Sequence, residues 1–511
     1  MAYLLGIDIG TSGTKTVLFD EHGNTVASAL EEYPLYQPHI GWAEQDPEDW
    51  WQATAASIRK VIDKSGVKAE DISGLGLSGQ MHGLVMLDAE NKVLRRSIIW
   101  CDQRSTAECE QITSLIGAER LIEITANPAL TGFTASKIMW VKNNEPEIFE
   151  KAKKILLPKD YVRFKLTGEF ATEVSDASGM QLMDIAKRDW SPEVLSKLGI
   201  ERGQLADMYE SQEISARVNS EAAKLTGLKV GTPVAGGAGD QAAGAVGNGI
   251  VKSGVVSSTI GSSGVVFAYL DKISIDPKGR VHTFCHAVPN TWHVMGVTQG
   301  AGLSLKWFRD NFCQDEMNTA KMMEVDPYVL MDQEADKVCT GSNGLLYLPY
   351  LMGERTPHLD AYARGVFFGL SAKHEKRDMI RSVMEGVTYS LRDCMEIIKE
   401  MGVSVSEIRA SGGGGKSKLW RQMQADIFGN AITTINSSEG PALGVALLAG
   451  VGTGVYKNVA EACDTAIKVK NVQEPDMDKN KIYEKYYRLY NQLYRSLKND
   501  YKDLADIMKT I

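Results

Sequence analysis

Apolar residues at the start of the chain fall in short runs separated by turn-forming residues. Tyr3-Leu4-Leu5-Gly6-Ile7 leads to Gly10-Thr11-Ser12-Gly13, Val17-Leu18-Phe19 leads to Glu21-His22-Gly23-Asn24, and a third run ends at Leu30. Runs of that length bounded by Gly and Asn predict a strand meander. Asp46-Pro47-Glu48-Asp49 then offers an N-cap, Pro at the first helical position and an acid in the first turn, predicting a helix to about Val61. Further strands are predicted at residues 72–77 and 84–88, separated by Ser78-Gly79-Gln80-Met81-His82-Gly83. Residues 105–166 read as a helical middle. Residues 233–237 read as a short strand entering a Gly-rich loop that holds Asp240. Helices are predicted at 376–401 and 418–428, and a packed terminal helix over the charged, Tyr-rich residues 479–511. Alternating strands and helices indicate an α/β architecture.

The hairpin pattern occurs twice. Ile9-Gly10-Thr11-Ser12-Gly13, running on to Asp20, recurs as Ile260-Gly261-Ser262-Ser263-Gly264, running on to Asp271, at one constant offset with five of twelve positions identical. This is an internal duplication. In each copy Gly allows successive backbone N–H groups to face one concavity, and hydroxyls add donors without bulk, so each turn can hold an anion. Two such turns, one from each half, suit a polyphosphate.

The length of 511 residues exceeds what one core supports, so two lobes are expected, with a boundary near residues 249–254. Hydrophobic residues at 43% and charged residues at 24% describe an ordinary globular protein, and a formal charge of -9 argues against nonspecific nucleic-acid binding. The seven cysteines include no CxxC pair, which fits reduced thiols in a cytoplasm. The first ten residues carry Asp8 within their apolar run and no basic stretch, unlike a signal peptide, and residues 442–455 are Gly-broken and too short to span a bilayer. No membrane partner is expected, and a homodimer is left open.

Asp8 ends the first strand immediately before a phosphate-type turn. A carboxylate there repels phosphate unless a cation intervenes, so the position implies Mg2+, held through water; the alternative is a plain turn-former. Asp240, flanked by small residues, suits a general base that takes a hydroxyl proton, and also a helix cap. Gly412-Gly413-Gly414-Gly415-Lys416-Ser417 permits close approach of a flat or anionic ligand. Residues 410–417 fall one substitution short of a P-loop, but no apolar strand ending in a metal-binding Asp follows them. Residues 78–83 combine polar groups for a polyol with a thioether for its carbon face, although a lone His in a Gly-bounded turn is also common as a structural residue.

Together, residues 8–15, Gly239-Asp240-Gln241, residues 260–264 and residues 412–417 resemble the FGGY family of carbohydrate kinases. So do Gly132-Phe133-Thr134-Ala135-Ser136-Lys137-Ile138-Met139-Trp140, and Gly365 to Gly369 continued by Arg381-Ser382-Val383-Met384-Glu385-Gly386. The resemblance covers nearly the whole chain. It implies a two-lobed α/β fold of the actin, Hsp70 and sugar-kinase (ribonuclease H-like) type, with the active site in the interlobe cleft. Residues 1–250 would form the N-terminal lobe, with the sugar site and first phosphate turn. Residues 251–511 would form the C-terminal lobe, with the second phosphate turn and nucleotide site.

Residues 78–83, Gly41-Trp42-Ala43-Glu44-Gln45-Asp46-Pro47 and Trp100-Cys101-Asp102-Gln103-Arg104 are similar to the xylulokinase branch of that family. The resemblance therefore implies ATP and Mg2+ as cofactors and D-xylulose as acceptor on its 5-hydroxyl. It places Met81 and His82 at the sugar, Asp240 as base and Asp8 as the metal-side acid. Thr11, Ser12, Gly13, Lys15, Gly261 and Ser262 map onto the phosphate turns, and Gly412, Gly413, Gly414 and Ser417 onto the nucleotide site. Ser262 stands where relatives often carry Thr, which keeps the hydroxyl, and Gly415 where many have Ala. The alternatives are a family member acting on another pentulose, gluconate or glycerol, and a nonenzymatic ATP-switched scaffold of the actin or Hsp70 kind.

Overall fold

The computed structural model describes residues 2–509. Two seven-stranded sheets organise it. The first runs Ile214–Arg217, Pro233–Ala235, Ile72–Gly79, Tyr3–Ile9, Gly13–Asp20, Thr25–Glu32, with Ala238–Gly239 also paired to Ile72–Gly79. The second runs His282–Cys285, Trp292–Thr298, Gly264–Leu270, Gly254–Ile260, Val405–Gly412, Ile432–Ile435, Val469–Gln473.

The sheets share one plan. Across each sheet in space, three antiparallel strands lie beside a strand parallel to the first of them, then a second parallel strand and an antiparallel one at the edge. A parallel neighbour needs a crossover, and a helix lies within each one: Pro47–Ser65 in the first lobe and Lys376–Glu400 in the second. The duplication thus extends past the hairpins, since Ile9 pairs with Gly79 as Ile260 pairs with Gly412.

The expected helix after Asp46 forms as the pattern requires, with the Asp46 side chain accepting from the Glu48 N–H and left-handed Gly66 ending it. The expected helical middle is broken. Helices Thr106–Ile116, Ala118–Thr125, Thr134–Asn144, Pro146–Lys151 and Pro158–Thr167 are interrupted by the strand Lys154–Leu156, which pairs with Val85–Leu87. Proline punctuates the helices there, and pairing with a buried neighbour overrides the propensity of a short Lys-Ile-Leu run.

Separate cores underlie this organisation. One, including Leu5, Ile7, Trp50 and Leu75, lies between the first sheet and the Pro47–Ser65 helix; another, including Val387, Tyr389 and Tyr490, lies under the second sheet and takes in the terminal helix Met477–Met508. The helix Gly440–Gly452 belongs to the second half by sequence but packs on the first sheet and on the helix Asp240–Gly247. Glycine permits this. A Cβ on Gly444 would lie 1.9 Å from the Ala243 carbonyl oxygen, and one on Gly6 would lie 1.9 Å from that of Ala442. Backbone meets backbone at this junction, so the segment carrying Asp240 is held by both halves of the chain.

Candidate active site

Asp8 sits one residue before the end of Tyr3–Ile9, in register with Lys15 on one side and Ser78 on the other. The Ser78 hydroxyl donates to Asp8 Oδ1 at 2.8 Å. Burial pushes the Asp8 carboxyl up, against the opposing pull of that hydrogen bond and of Lys15. At the matching positions of the second lobe the Thr259 and Ser411 hydroxyls lie 2.7 Å apart. The same place in the duplicated frame therefore carries an acid in one lobe and a hydroxyl in the other.

Asp240 is the first residue of its helix. The helix cap is Gly239, so the capping role open to Asp240 from sequence is not the one it takes. Its carboxyl is pushed up to about 7, first by burial and second by the charge of Asp8; the Gln241 N–H and side chain pull the other way. The charge of Asp8 is thus felt at Asp240, the two acids sitting at the ends of segments that flank the same strand, Ile72–Gly79. The loop behind Asp240 is fastened by buried groups: Arg163 Nη1 donates to the Ala235 carbonyl at 2.7 Å, and the Gly239 N–H donates to Ser175 Oγ at 3.2 Å.

Met81 and His82 lie beside this loop. A Cβ on Gly239 would lie 3.0 Å from Met81 Cγ, and one on Gly179 would lie 2.4 Å from His82 Nδ1. His82 takes a positive φ of 71°, with Nδ1 at 2.9 Å from the Gly179 carbonyl oxygen and its ring 5.1 Å from that of Phe133. Burial pushes its pKa down to about 3, and Lys137 adds to the effect. The imidazole is neutral at physiological pH and suited to hydrogen bonding with hydroxyls. Phe284 of the second sheet packs against the same ring, so the second lobe helps to wall this loop.

The glycine-rich turns of the second half, at Gly261 and at Gly412–Ser417, open onto two cavities. One of about 580 Å³ is lined by Asp240, Thr259, Gly412, Gly413, Lys416 and Gly440, among others. The other, of about 370 Å³, takes in Gly261, Ser262, Gly413, Gly414, Lys416 and Ser417. Gly413 and Lys416 line both, which makes the cavities neighbours. The Ser417 hydroxyl caps the helix Lys418–Phe428 by accepting from the Trp420 N–H at 3.0 Å. Thr11, Ser12, Gly13, Met81 and His82 line neither cavity. Lys15, two residues past the first turn, has its ammonium 2.5 Å from Glu439, which stands between the lining residues Ser438 and Gly440. Lys15 is therefore engaged by a carboxylate from the other half of the chain.

Sequence reasoning missed Glu439, the Thr259–Ser411 pair and the aromatic wall from Phe284. The middle one had a signal: Ser78-Gly79 and Ser411-Gly412 repeat at the ends of equivalent strands. Among the described residues no cluster of three or more His, Cys, Asp or Glu could hold a metal ion, and no helix is long and apolar enough to cross a membrane.

The N-terminal and C-terminal domain models of the FGGY family of carbohydrate kinases match residues 3–247 and 256–453. The chain belongs to this family. It is 40% identical over 499 residues to a xylulose kinase of Bacillus subtilis (strain 168), covering 98% of each, and 39% identical over 494 residues to one of Escherichia coli (strain K12), covering 96% of this chain and 99% of the relative. The solved structure of a ligand-bound xylulose kinase from Lactobacillus acidophilus superposes with a TM-score of 0.91 at 28% identity, covering 99% of this chain and all of that one. The FGGY assignment accounts for the paired sheets and makes the molecule a two-lobed, actin-like sugar kinase, as the motifs implied.

Proposed function

We propose that this chain transfers the γ-phosphoryl group of ATP to the 5-hydroxyl of D-xylulose. The observation that carries the reading is Asp240, which lines the glycine-rich cavity with its carboxyl held at about 7 and follows Gly239, itself packed against Met81. A general base works best when its pKa lies near the working pH, and this one does. Asp240 takes the hydroxyl proton while the oxygen attacks in line. Met81 and His82 hold the sugar. Thr11, Ser12, Gly13, Gly261 and Ser262 hold phosphate, Lys15 supports the first turn through Glu439, and Gly412, Gly413, Gly414 and Ser417 line the nucleotide side. The transition state of phosphoryl transfer is loose, so positioning and charge neutralisation do most of the work.

The carboxylates of Asp8 and Asp240, close enough for the charge of one to push up the other, fit a hard divalent cation. They are oxygen donors whose mutual repulsion a cation relieves, and they are too few to cage it, which suits Mg2+ that keeps water and phosphate oxygens. Asp8 would hold it through water. Bound there, Mg2+ neutralises charge on the phosphate oxygens. We assign residues 1–250 to a sugar-binding lobe and 251–511 to a nucleotide-binding lobe, with the helix Gly440–Gly452 of the latter seated on the first sheet, and place the reaction in the cytoplasm.

A coupled ADP-release assay across D-xylulose, other pentuloses, gluconate and glycerol tests the assignment. D-xylulose should give the highest kcat/KM. Asp240→Ala should lower turnover roughly a hundred- to ten-thousandfold while ATP still binds. ATP turnover indifferent to every sugar would instead identify a nucleotide-switched scaffold.

A further inference from the structure

Two residues outside the roles above set the direction of the first phosphate turn. The Gly10 carbonyl accepts from Gln80 Nε2 at 3.2 Å and from the Tyr33 hydroxyl, and the Thr11 carbonyl accepts from Gln45 Nε2 at 2.7 Å. Gln45 and Gln80 are fully buried. In a planar trans peptide the C=O and the following N–H point in opposite directions. Carbonyls drawn into the protein by buried amides therefore leave the N–H groups of Thr11 and Ser12 facing outward, where Ser12 is exposed.

The orientation of each amide is dictated by chemistry. Trp50 Nε1 can only donate, and it lies 3.1 Å from Gln45 Oε1, so the other face of that amide must be the NH2 group. That face meets Thr11. Gln45 Oε1 also lies 2.7 Å from Gln80 Nε2, which in turn commits the Gln80 NH2 group to the side of Gly10. Buried Trp50 thus fixes both glutamines, and through them two peptide planes.

The second lobe supports the argument independently. The residues equivalent to Gly10 and Thr11 are Gly261 and Ser262, and their carbonyls also accept hydrogen bonds: from the Gly302 N–H at 2.9 Å and the Leu303 N–H at 3.1 Å. There the first turn of the helix Ala301–Phe312 supplies the donors. The duplicated turns hold the same two carbonyls by different means, side-chain amides in one lobe and backbone amides in the other. A feature rebuilt from different parts is a requirement of the turn.

We propose that Gln45 and Gln80 are positioning residues for the nucleotide phosphates, acting through the Gly10 and Thr11 peptides, and that Gln80 links this turn to the sugar loop it shares with Met81 and His82. This rests on the assignment of ATP as phosphoryl donor. The link has a use: a sugar that moves Met81 or His82 also moves the amide steering the phosphate turn, which discourages transfer to water when no sugar is present.

The test is calorimetric titration of magnesium-ATP into the full-length protein without sugar, alongside steady-state kinetics and thermal unfolding. Gln45→Met should weaken ATP binding at least tenfold and leave the KM for D-xylulose within twofold. Gln45→Glu should be weaker still at pH 8, and should recover relative to wild type toward pH 5.5, because a protonated Glu regains a donor hydroxyl. Gln45→Met has no such donor and should not recover. Gln80→Met provides a second route if a Gln45 variant fails to fold, and it should raise the ratio of ATP hydrolysed to sugar phosphorylated. A folded Gln45→Met protein that binds ATP within twofold of wild type overturns the proposal. Wild type that binds ATP but leaves D-xylulose untouched overturns the sugar assignment alone, whereas wild type that does not bind ATP overturns both.

Discussion

Replacing Asp240 by Asn should lower turnover roughly a hundred- to ten-thousandfold and make the protein more stable above neutral pH. The folded protein holds the Asp240 carboxyl at about 7, against an ordinary value of 3.8, because burial and Asp8 both disfavour its charge. Between those two values the folded state keeps a proton that the unfolded chain has released. Stability from this group is therefore complete below about 3.8 and falls as the pH rises to about 7, where the loss levels off. Roughly three pKa units at 1.36 kcal/mol each set an upper bound of about 4 kcal/mol. Asp240 is partly open to the cavity, so water there reduces the figure, and about 2 kcal/mol is the realistic expectation at pH 8. Asn keeps the shape and carries no charge. Urea unfolding followed by tryptophan emission should place the variant's midpoint above that of wild type at pH 8, with a gap about 1 kcal/mol larger than at pH 5. A chain with several cores need not unfold in one step, so the comparison is of paired midpoints at each pH. An Asn variant less stable than wild type at pH 8, or a gap that ignores pH, would refute the claim that Asp240 is a strained, poised carboxylate.

Gly179→Ala places a methyl 2.4 Å from His82 Nδ1 and 3.1 Å from Met81 Cε. Both side chains must shift, so the KM for sugar should rise at least tenfold and by clearly more than the Kd for ATP measured by titration; equal effects on both ligands would detach His82 from the sugar. Gly444→Ala drives a methyl to 1.9 Å from a backbone oxygen of the Asp240 helix. That overlap cannot be relieved by a rotamer, and a loss of about 3 kcal/mol or more is expected in thermal unfolding, with activity falling as Asp240 moves; an unchanged melting temperature would mean the two helices do not meet at that point.

Much of the frame around the candidate site was legible in the sequence because it depends on a few residue types at fixed spacing. The constant offset between the Gly10 and Gly261 turns announced two matching hairpins, and both sheets carry them in the same place. Asp8 stood out at a strand end just before a phosphate-type turn, and Asp240 among small residues. The cap at Asp46 and the helix Lys418–Phe428 were local signals, set by neighbours in sequence.

What lay beyond the sequence was every property that joins distant segments. That Gly440–Gly452 packs against the first sheet depends on glycines at Gly6, Gly76 and Gly444 meeting backbone, and no periodicity reveals which backbone a glycine will meet. The pairing of Lys15 with Glu439 and the hold of Gln45 on Thr11 follow from close approach in space, over separations at which sequence patterns carry no register. The raised pKa of Asp240 is likewise a tertiary quantity. Residue identity supplies the carboxyl, but only the folded chain removes its water and brings Asp8 near enough to be felt.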